Sequence, residues 1–406
     1  MVYVISHTGV VIMPTVRHGK VRRMLRDGLA RVVRLNPFTI QLLYDNEEFV
    51  QPVALGVDAG TGHVGLSATT EKKELFAAEV ALRRDIVDLI STRREARRSR
   101  RNRKTRYRPA RFDNRRKPEG WLTPSVEQSV ESHLARIRLV HSILPVLRTT
   151  IEVGQFDTQL MQNPDIQGEG YQQGPQLGFW NVREYVLFRD NHECQYCHGK
   201  SKDPILNVHH IESRKAGGNA PGNLITLCET CHKAYHRGEI TLDTKRCKPL
   251  RDATKMGIMR WAIYERAKAE FANVHLTYGY ITKHTRIDCG LEKSHSVDAR
   301  CISGNPLAEP CSCLLMRQLR RHNRQLFKAN TLKGGLRKKN QAPYLVKGFR
   351  LFDKVYYNGE ECFIFGRRAS GSFDIRKFNG EKVNPGISCK KLKFKGISRR
   401  YLITYK

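Results

Sequence analysis

Cys194-x-x-Cys197 and Cys228-x-x-Cys231 are two thiolate knuckles a few tens of residues apart. Four thiolates so spaced complete one tetrahedral zinc, the closed coordination of a structural site. That clamp leaves His209, His210, Asn223 and His236 for other work. His209 and His210 end a short apolar stretch, Pro204 to Val208, that reads as a strand, and adjacent strand residues point to opposite faces. One imidazole of the pair can therefore ligand a metal while the other addresses a water. A second set of groups suited to metal chemistry is spread more widely. Asp58 ends the apolar run Val53 to Gly60, Glu152 lies in Leu147 to Val153, and His295 and Asp298 lie in Ser294 to Ile302. Three carboxylates with a nearby histidine are what two-metal phosphodiester hydrolysis needs. Two Mg²⁺ ions about 3.5–4 Å apart activate a water and stabilise the leaving oxygen, and they require hard oxygen ligands.

The elements that position the first set can be read locally. After the strand ending at His210, Ala216-Gly217-Gly218-Asn219 makes a loop and Asn223-Leu224 begins a return strand. Cys228 to His236 then reads as a helix that sets Cys231 and Tyr235, or His232 and His236, one turn apart. The result is a ββα-metal unit. Four cysteines alone equally describe a zinc ribbon that only holds a fold, but a ribbon does not require His209, His210, Asn223 and His236. Their order resembles the HNH nuclease family. The resemblance implies that His209 and His236 are metal ligands, His210 the general base and Asn223 the central asparagine of the catalytic set.

The second set needs a larger scaffold. Val53 to Gly60 is a buried strand with a carboxylate at its tip, and Gly62 to Thr70 and Glu74 to Leu82 are two further strands separated by polar turns. An aspartate after an apolar run is by itself more often a turn residue. Glu152 ends another apolar strand, and Ser294 caps a helix that puts His295 and Asp298, three apart, on one face. A strand, an aspartate and a following hairpin resemble the start of the RNase H fold used by RuvC nucleases. From Arg93 to Lys117 the chain is densely basic, without a helix breaker up to Tyr107, and Pro109 ends the run. Like charges at this density repel and leave a segment disordered unless a polyanion neutralises them.

A RuvC-like fold split first by an arginine-rich helix and then by an HNH insertion resembles the IscB family of RNA-guided nucleases. The likeness runs over essentially the whole chain, with Val11-Ile12-Met13-Pro14 standing where that family has Pro-Leu-Met-Pro. It implies an α/β multidomain protein in seven parts. These are an N-terminal module (1–52), RuvC-like segment I (53–91), a bridge helix (92–120), segment II and linker (121–178), the HNH domain (179–250), segment III (251–303) and a small C-terminal β-domain reading a target-adjacent motif (304–406). Asp58, Glu152, His295 and Asp298 take the RuvC positions, with Asp58, Glu152 and Asp298 binding Mg²⁺. Arg93, Arg94, Arg97, Arg98, Arg100, Arg101, Arg103, Lys104, Arg106 and Arg108 contact RNA. The implied cofactors are Mg²⁺ at both catalytic sites and a structural Zn²⁺. A monomeric ribonucleoprotein would use its guide RNA to pair with double-stranded DNA, HNH cutting the target strand and RuvC the other. A protein-guided HNH homing or restriction endonuclease and a non-cutting RNA-binding protein of the same fold are the rival readings.

Charge agrees with a polyanion partner. The 406 residues carry 72 Lys and Arg against 39 Asp and Glu, a formal charge of +33, far more than solubility requires. No apolar run approaches the roughly 20 residues of a spanning helix. Met1 to Ser6 has neither the basic start nor the long apolar core of a signal peptide. The expectation is a cytoplasmic, nucleoid-associated protein of a prokaryotic cell. Of 11 cysteines, the seven outside the knuckles (Cys247, Cys289, Cys301, Cys311, Cys313, Cys362 and Cys389) show no second metal spacing and read as free thiols of a reducing compartment.

The remaining chain is read as scaffold. Val16 to Asp27 is a short basic helix stopped by Gly28, whose Arg17, His18, Lys20, Arg22, Arg23 and Arg26 either face phosphates or form a solvated face. Residues 157–178 form a Gln- and Gly-rich linker. Trp121 to Pro145 and Met256 to Phe271 are amphipathic helices, and Val274 to Tyr278 is a strand of the split fold. Short strands from Val346 to Tyr405, with hairpin turns at Asn358-Gly359 and Asn379-Gly380, predict a barrel-like β-domain.

Overall fold

A computed structural model describes residues 1–48, 50–102, 117–153, 181–213, 220–242, 251–320, 343–398 and 401–406. The chain forms two compact units, Met1–Gln155 with Lys255–Lys406, and Phe156–Thr254. The linker 157–178, the loop 216–219, Cys247, residues 321–342, and Arg103, Lys104, Arg106 and Arg108 lie outside the described residues.

The first unit opens with strands β1 (Val2–Ile5), β2 (Val11–Thr15), β3 (Ala30–Arg34) and β4 (Thr39–Leu42) in the order β2-β1-β4-β3, with helix α1 (His18–Arg26) connecting β2 to β3. Val21 and Met24, one turn apart, bury the apolar stripe of α1 against Val2, Val4, Ile40 and Leu42. Its basic residues stay exposed. Gly28, at φ +71°, supplies the left-handed residue that stops the helix.

Next come β5 (Val53–Ala59), β6 (His63–Thr69) and β7 (Glu74–Ala81), an antiparallel meander, then α2 (Ile86–Asn102), α3 (Pro124–His141) and β8 (Val146–Glu152). Helix α2 begins before the basic run and presents Arg93, Arg94, Arg97 and Arg98 exposed. The second unit contributes α4 (Val182–Arg189), β9 (Leu206–His210), β10 (Leu224–Cys228) and α5 (Glu229–Arg237). After it follow α6 (Arg251–Glu270), β11 (Val274–Thr277), α7 (Gly279–Asp288), α8 (His295–Ser303) and β12 (Cys313–Gln318). The chain closes with β13 (Lys354–Tyr357), β14 (Glu360–Arg367), β15 (Ser372–Arg376), β16 (Lys382–Ser388), β17 (Lys393–Gly396) and β18 (Tyr401–Tyr405).

Seven strands form one sheet in the order β11-β8-β5-β6-β7-β12-β18. Strand β5 sits at its centre, antiparallel to β6 and parallel to β8, which in turn pairs in parallel with β11. Val53, Leu55 and Val57 are almost wholly inaccessible, the near-continuous apolar run of a strand covered on both faces. Val126, Val130, Leu134, Ile137 and Val140 of α3 and Met256, Met259 and Ile263 of α6 join them in one core. Helix α8 approaches the sheet backbone to backbone. A Cβ added at Gly56 would stand 1.9 Å from the Ala299 carbonyl oxygen, and one at Gly65 would stand 1.9 Å from that of His295. Both glycines are therefore seats for the helix that carries His295 and Asp298. Gly65→Ala must push α8 away and is expected to cost about 1–3 kcal/mol or more, read as a lowered midpoint in thermal unfolding. An unchanged midpoint would refute this close packing.

The C-terminal part differs from expectation. Strands β12 and β18 do not belong to a separate β-domain: β12 pairs in parallel with β7, and β18 pairs antiparallel with β12 along the edge of the large sheet. The five-stranded sheet β16-β15-β14-β13-β17 keeps its own core of Val355, Cys362, Ile364, Phe373 and Ile375. At Asn358-Gly359 both residues are left-handed (φ 47° and 85°), as a two-residue type I′ hairpin demands. At Asn379-Gly380 a longer turn forms, in which the Lys377 N–H donates to the Glu381 carbonyl. Among the described residues no helix is long and apolar enough to cross a membrane.

Candidate functional site

In the second unit β9 and β10 pair antiparallel, with His209 opposite Ile225 and His210 opposite Leu224. Strand alternation buries His209 (7% exposed) and leaves His210 half-buried on the other face. Helix α5 packs on this hairpin. Cys228 caps its first turn, its Sγ accepting from the Cys231 N–H at 3.5 Å. Gly238, at φ 78°, ends it.

One turn of α5 brings His232 and His236 together, Nε2 to Nε2 at 3.3 Å. The His209 ring lies 5.1 Å from that of His232 and 5.2 Å from that of His236, and one ring nitrogen from each of the three comes within 4.8 Å of the others. The His209 Nε2 is buried and accepts or donates no hydrogen bond, so its lone pair has a role only if something else occupies the space between the rings. Burial first, then the neighbouring imidazoles of His232, His236 and His210, pull His209 down to about 4. It is therefore neutral and able to ligate at pH 7. Three imidazoles with one face open fit a divalent cation. His232 is the member the sequence reading left unassigned, although its i,i+4 spacing to His236 was the available signal.

Asn223 is fully buried. Its Oδ1 accepts from the Glu212 N–H at 2.9 Å, and its Nδ2 donates to the Glu212 carbonyl at 3.0 Å. It clamps the chain two residues beyond His210. Asp190, which the sequence reading passed over, does similar work on the return strand: its carboxylate takes the Thr226 N–H at 2.9 Å and is paired with Arg189.

The four knuckle thiols converge, one Sγ from each within 4.8 Å of the rest. The Cys197 and Cys228 sulfurs are 3.8 Å apart. A tetrahedron with Zn–S bonds of about 2.3 Å has edges of about 3.8 Å, so the cluster is compatible with zinc.

The other predicted site residues assemble in the first unit. Asp58 near the end of β5 and Glu152 at the end of β8 are direct partners across the parallel pair. Helix α8 brings the remaining two from far along the chain. The His295 Nδ1 is 2.6 Å from Asp58 Oδ2, and that hydrogen bond, outweighing burial, raises the imidazole's affinity for a proton. Asp298, one turn on, lies 3.0 Å from the Arg286 Nε, though that N–H makes no hydrogen bond. Burial pushes Glu152 up to about 7 against the opposing hydrogen bond from the Thr282 hydroxyl, with the charges of Asp58 and Asp298 adding to the rise. Asp298 is raised by burial and by Asp58. Burial and mutual repulsion thus make Glu152 and Asp298 hold their protons more tightly than free carboxylates do. Their oxygens do not close on a single point as the three imidazoles do.

Two residues outside the predicted set hold this geometry. Ser294 caps α8 by accepting from the Val297 N–H at 3.1 Å. Glu79 on β7 accepts from the Ser296 N–H at 3.2 Å and its hydroxyl at 2.9 Å, and although burial works against its charge these bonds hold its carboxyl below the usual range. A carboxylate at a helix N-terminus is stabilising. Here it fixes the turn that carries His295.

Residues 2–174 match the family described as RRXRR protein, and residues 194–238 match the family described as HNH endonuclease. A stretch of 66 residues is 34% identical to Anaredoxin of Nostoc sp. (strain PCC 7120), spanning 16% of this chain and 84% of that protein. Among solved structures, Streptococcus thermophilus Cas9 in complex with the GGAA PAM is similar with a TM-score of 0.34 and 14% identity over 52% of this chain. The type II-C Cas9 enzyme from Actinomyces naeslundii gives 0.25 and 11% over 62%. The chain spans 30% of the first structure and 59% of the second. The chain thus carries a region that matches the RRXRR family and, after it, a region that matches the HNH endonuclease family.

Proposed function

We propose that the protein is an RNA-guided DNA endonuclease with two metal-dependent sites, one on the ββα hairpin and one on an RNase H-like, RuvC-type sheet split into three segments. The observation that carries this reading is the meeting of Asp58, Glu152, His295 and Asp298, from segments on both sides of the inserted second unit. The order β7-β6-β5-β8-β11, with only β6 antiparallel to its two neighbours, supports the RNase H-like assignment. The exposed arginines of α2 and the charge of +33 support a nucleic-acid partner held through its phosphates.

When bound, divalent cations would supply charge stabilisation at the scissile phosphate: a cation that accepts imidazole ligands would be held by His209, His232 and His236, and Mg²⁺ by the oxygens of Asp58, Glu152 and Asp298. The chain's own residues do the rest. His210, on the strand face opposite His209, takes the proton from the attacking water. Asn223 keeps the backbone after His210 in place. In the other site Asp58 orients the His295 ring through its Nδ1, and Thr282 fixes the rotamer of Glu152. Base pairing by the guide RNA selects the sequence, while the protein holds backbone and reads a short flanking motif with its C-terminal sheet. The ββα site cuts the guide-paired strand and the RuvC-type site the displaced one.

The test is to incubate the purified protein with duplex DNA and Mg²⁺, with and without the RNA that co-purifies with it. Cutting only with RNA, at sites complementary to that RNA, is expected. Cutting without RNA would favour a protein-guided HNH endonuclease, and no cutting in either arm would favour a binding protein.

A further inference from the structure

We propose that Tyr280, stacked on Tyr278, is a platform for a base of the single DNA strand presented to the Asp58–Glu152–Asp298 site; this deepens, and rests on, the nuclease reading above. The two rings are nearly parallel, their planes 9° apart, with centroids 6.2 Å from each other. Tyr278, at the N-cap position of α7, is partly buried and packs against the core of the first unit. Tyr280 is 66% exposed. An aromatic ring held by an inner ring and open on its outer side offers a flat surface whose orientation is already fixed, so a third ring can join without a further ordering cost.

Its place in the fold ties it to the acidic site. Gly279 lies between the two tyrosines, and a Cβ there would stand 3.0 Å from Glu152 Oε1. Thr282, two residues beyond Tyr280, hydrogen-bonds the same carboxylate. One turn of α7 thus carries both the platform and the contacts that fix Glu152. Lys283 is exposed on the following turn and Lys293 in the loop before α8, which supplies the positive charge that a strand's backbone requires. Stacking on a π-face accepts any base, as a site cutting guide-selected sequences must. It does not accept a duplex, whose bases already stack on one another.

The probe is an oligodeoxynucleotide carrying 2-aminopurine, whose fluorescence falls on stacking, added to the full-length protein with its co-purified RNA. Wild type, Tyr280→Phe and Tyr280→Trp should quench it. Tyr280→Ala should not, and should bind the single strand about ten-fold more weakly, equivalent to about 1.4 kcal/mol. In strand-resolved cleavage, Tyr280→Ala should raise KM for the strand cut by the Asp58 site with little change in kcat, and leave the cut by the His210 site unaltered. The proposal is overturned if Tyr280→Ala quenches and binds as wild type does, if Tyr280→Phe behaves like Tyr280→Ala, or if a duplex probe or an RNA strand is quenched in preference to single-stranded DNA. Quenching is measured without cleavage. A wild type that stacks the probe but cuts nothing sinks the nuclease reading alone.

Discussion

Asp58→Ala and His210→Ala should each convert a double-strand cutter into a nicking enzyme, and the two should nick opposite strands. His210 is asked to remove a proton in the transition state, and losing a general base of that kind costs about 10²–10⁴-fold in rate. Asp58 is asked for more than a ligand atom. It is the partner of His295 at 2.6 Å and the strand neighbour of Glu152, so its removal takes one charge from the site and releases the imidazole that faced it. Asp58→Asn, which keeps the shape and loses the charge, should fall almost as far. The two effects stay separate because the residues belong to different compact units, each with its own core. Strand-specific end labels on a guide-matched duplex give the readout. Either single substitution abolishing both cuts would falsify the two-site reading, and a double variant that still cuts would show that neither group is catalytic.

Both sites were legible in the sequence to different depths, and the reason is range. The ββα site is local: strand, return strand and helix lie within a short span, so alternation placed His209 and His210 on opposite faces and helical spacing put His232 beside His236. What spacing could not say was how many imidazoles converge, because that depends on how α5 lies across β9. The carboxylate site is non-local. An aspartate after an apolar strand has no partner visible in its own segment, and only the order of four residues along the whole chain suggested one. Apart from the Ser294 cap, which its own segment shows, the supports of that site were invisible for the same reason. Gly56 and Gly65 look like ordinary strand glycines until α8 is laid on them, and Glu79 looks like a surface carboxylate until it receives the Ser296 N–H.

The C-terminal strands show the same limit from another side. A short apolar run marked Tyr401 to Ile403 as a strand, but such a run does not name a partner. Proximity in sequence pointed to the five-stranded sheet, whereas β18 pairs with β12 and completes the edge of the large one. Leu402 is fully buried there. Pairing of this kind is set by which sheet edge is left open, a property of the assembled fold.

Loss of the zinc clamp should unfold the ββα unit while leaving the sheet that carries Asp58 intact. In the cluster that holds the hairpin, three of the five buried residues are Cys194, Cys228 and Cys231, and the other two are Ile225 and Leu227. Burying those two contributes about 1.5–3 kcal/mol apiece, while ordering each residue of backbone costs about 1–2 kcal/mol, so apolar burial of this size cannot hold the fold alone. Structural zinc binds with about 10–16 kcal/mol in small domains, and that binding energy is folding energy. Cys228→Ser isolates the effect, because serine can still cap α5 as the Cys228 sulfur does and removes only the thiolate. Hydrogen exchange should then show lost protection over the described parts of 181–242 and native protection in β5 to β8. Metal analysis should show zinc content falling with it. Cutting by the Asp58 site, supplied with a single strand directly, should persist. Retained protection in 181–242 without zinc would mean that the hairpin is held by contacts other than its four thiolates.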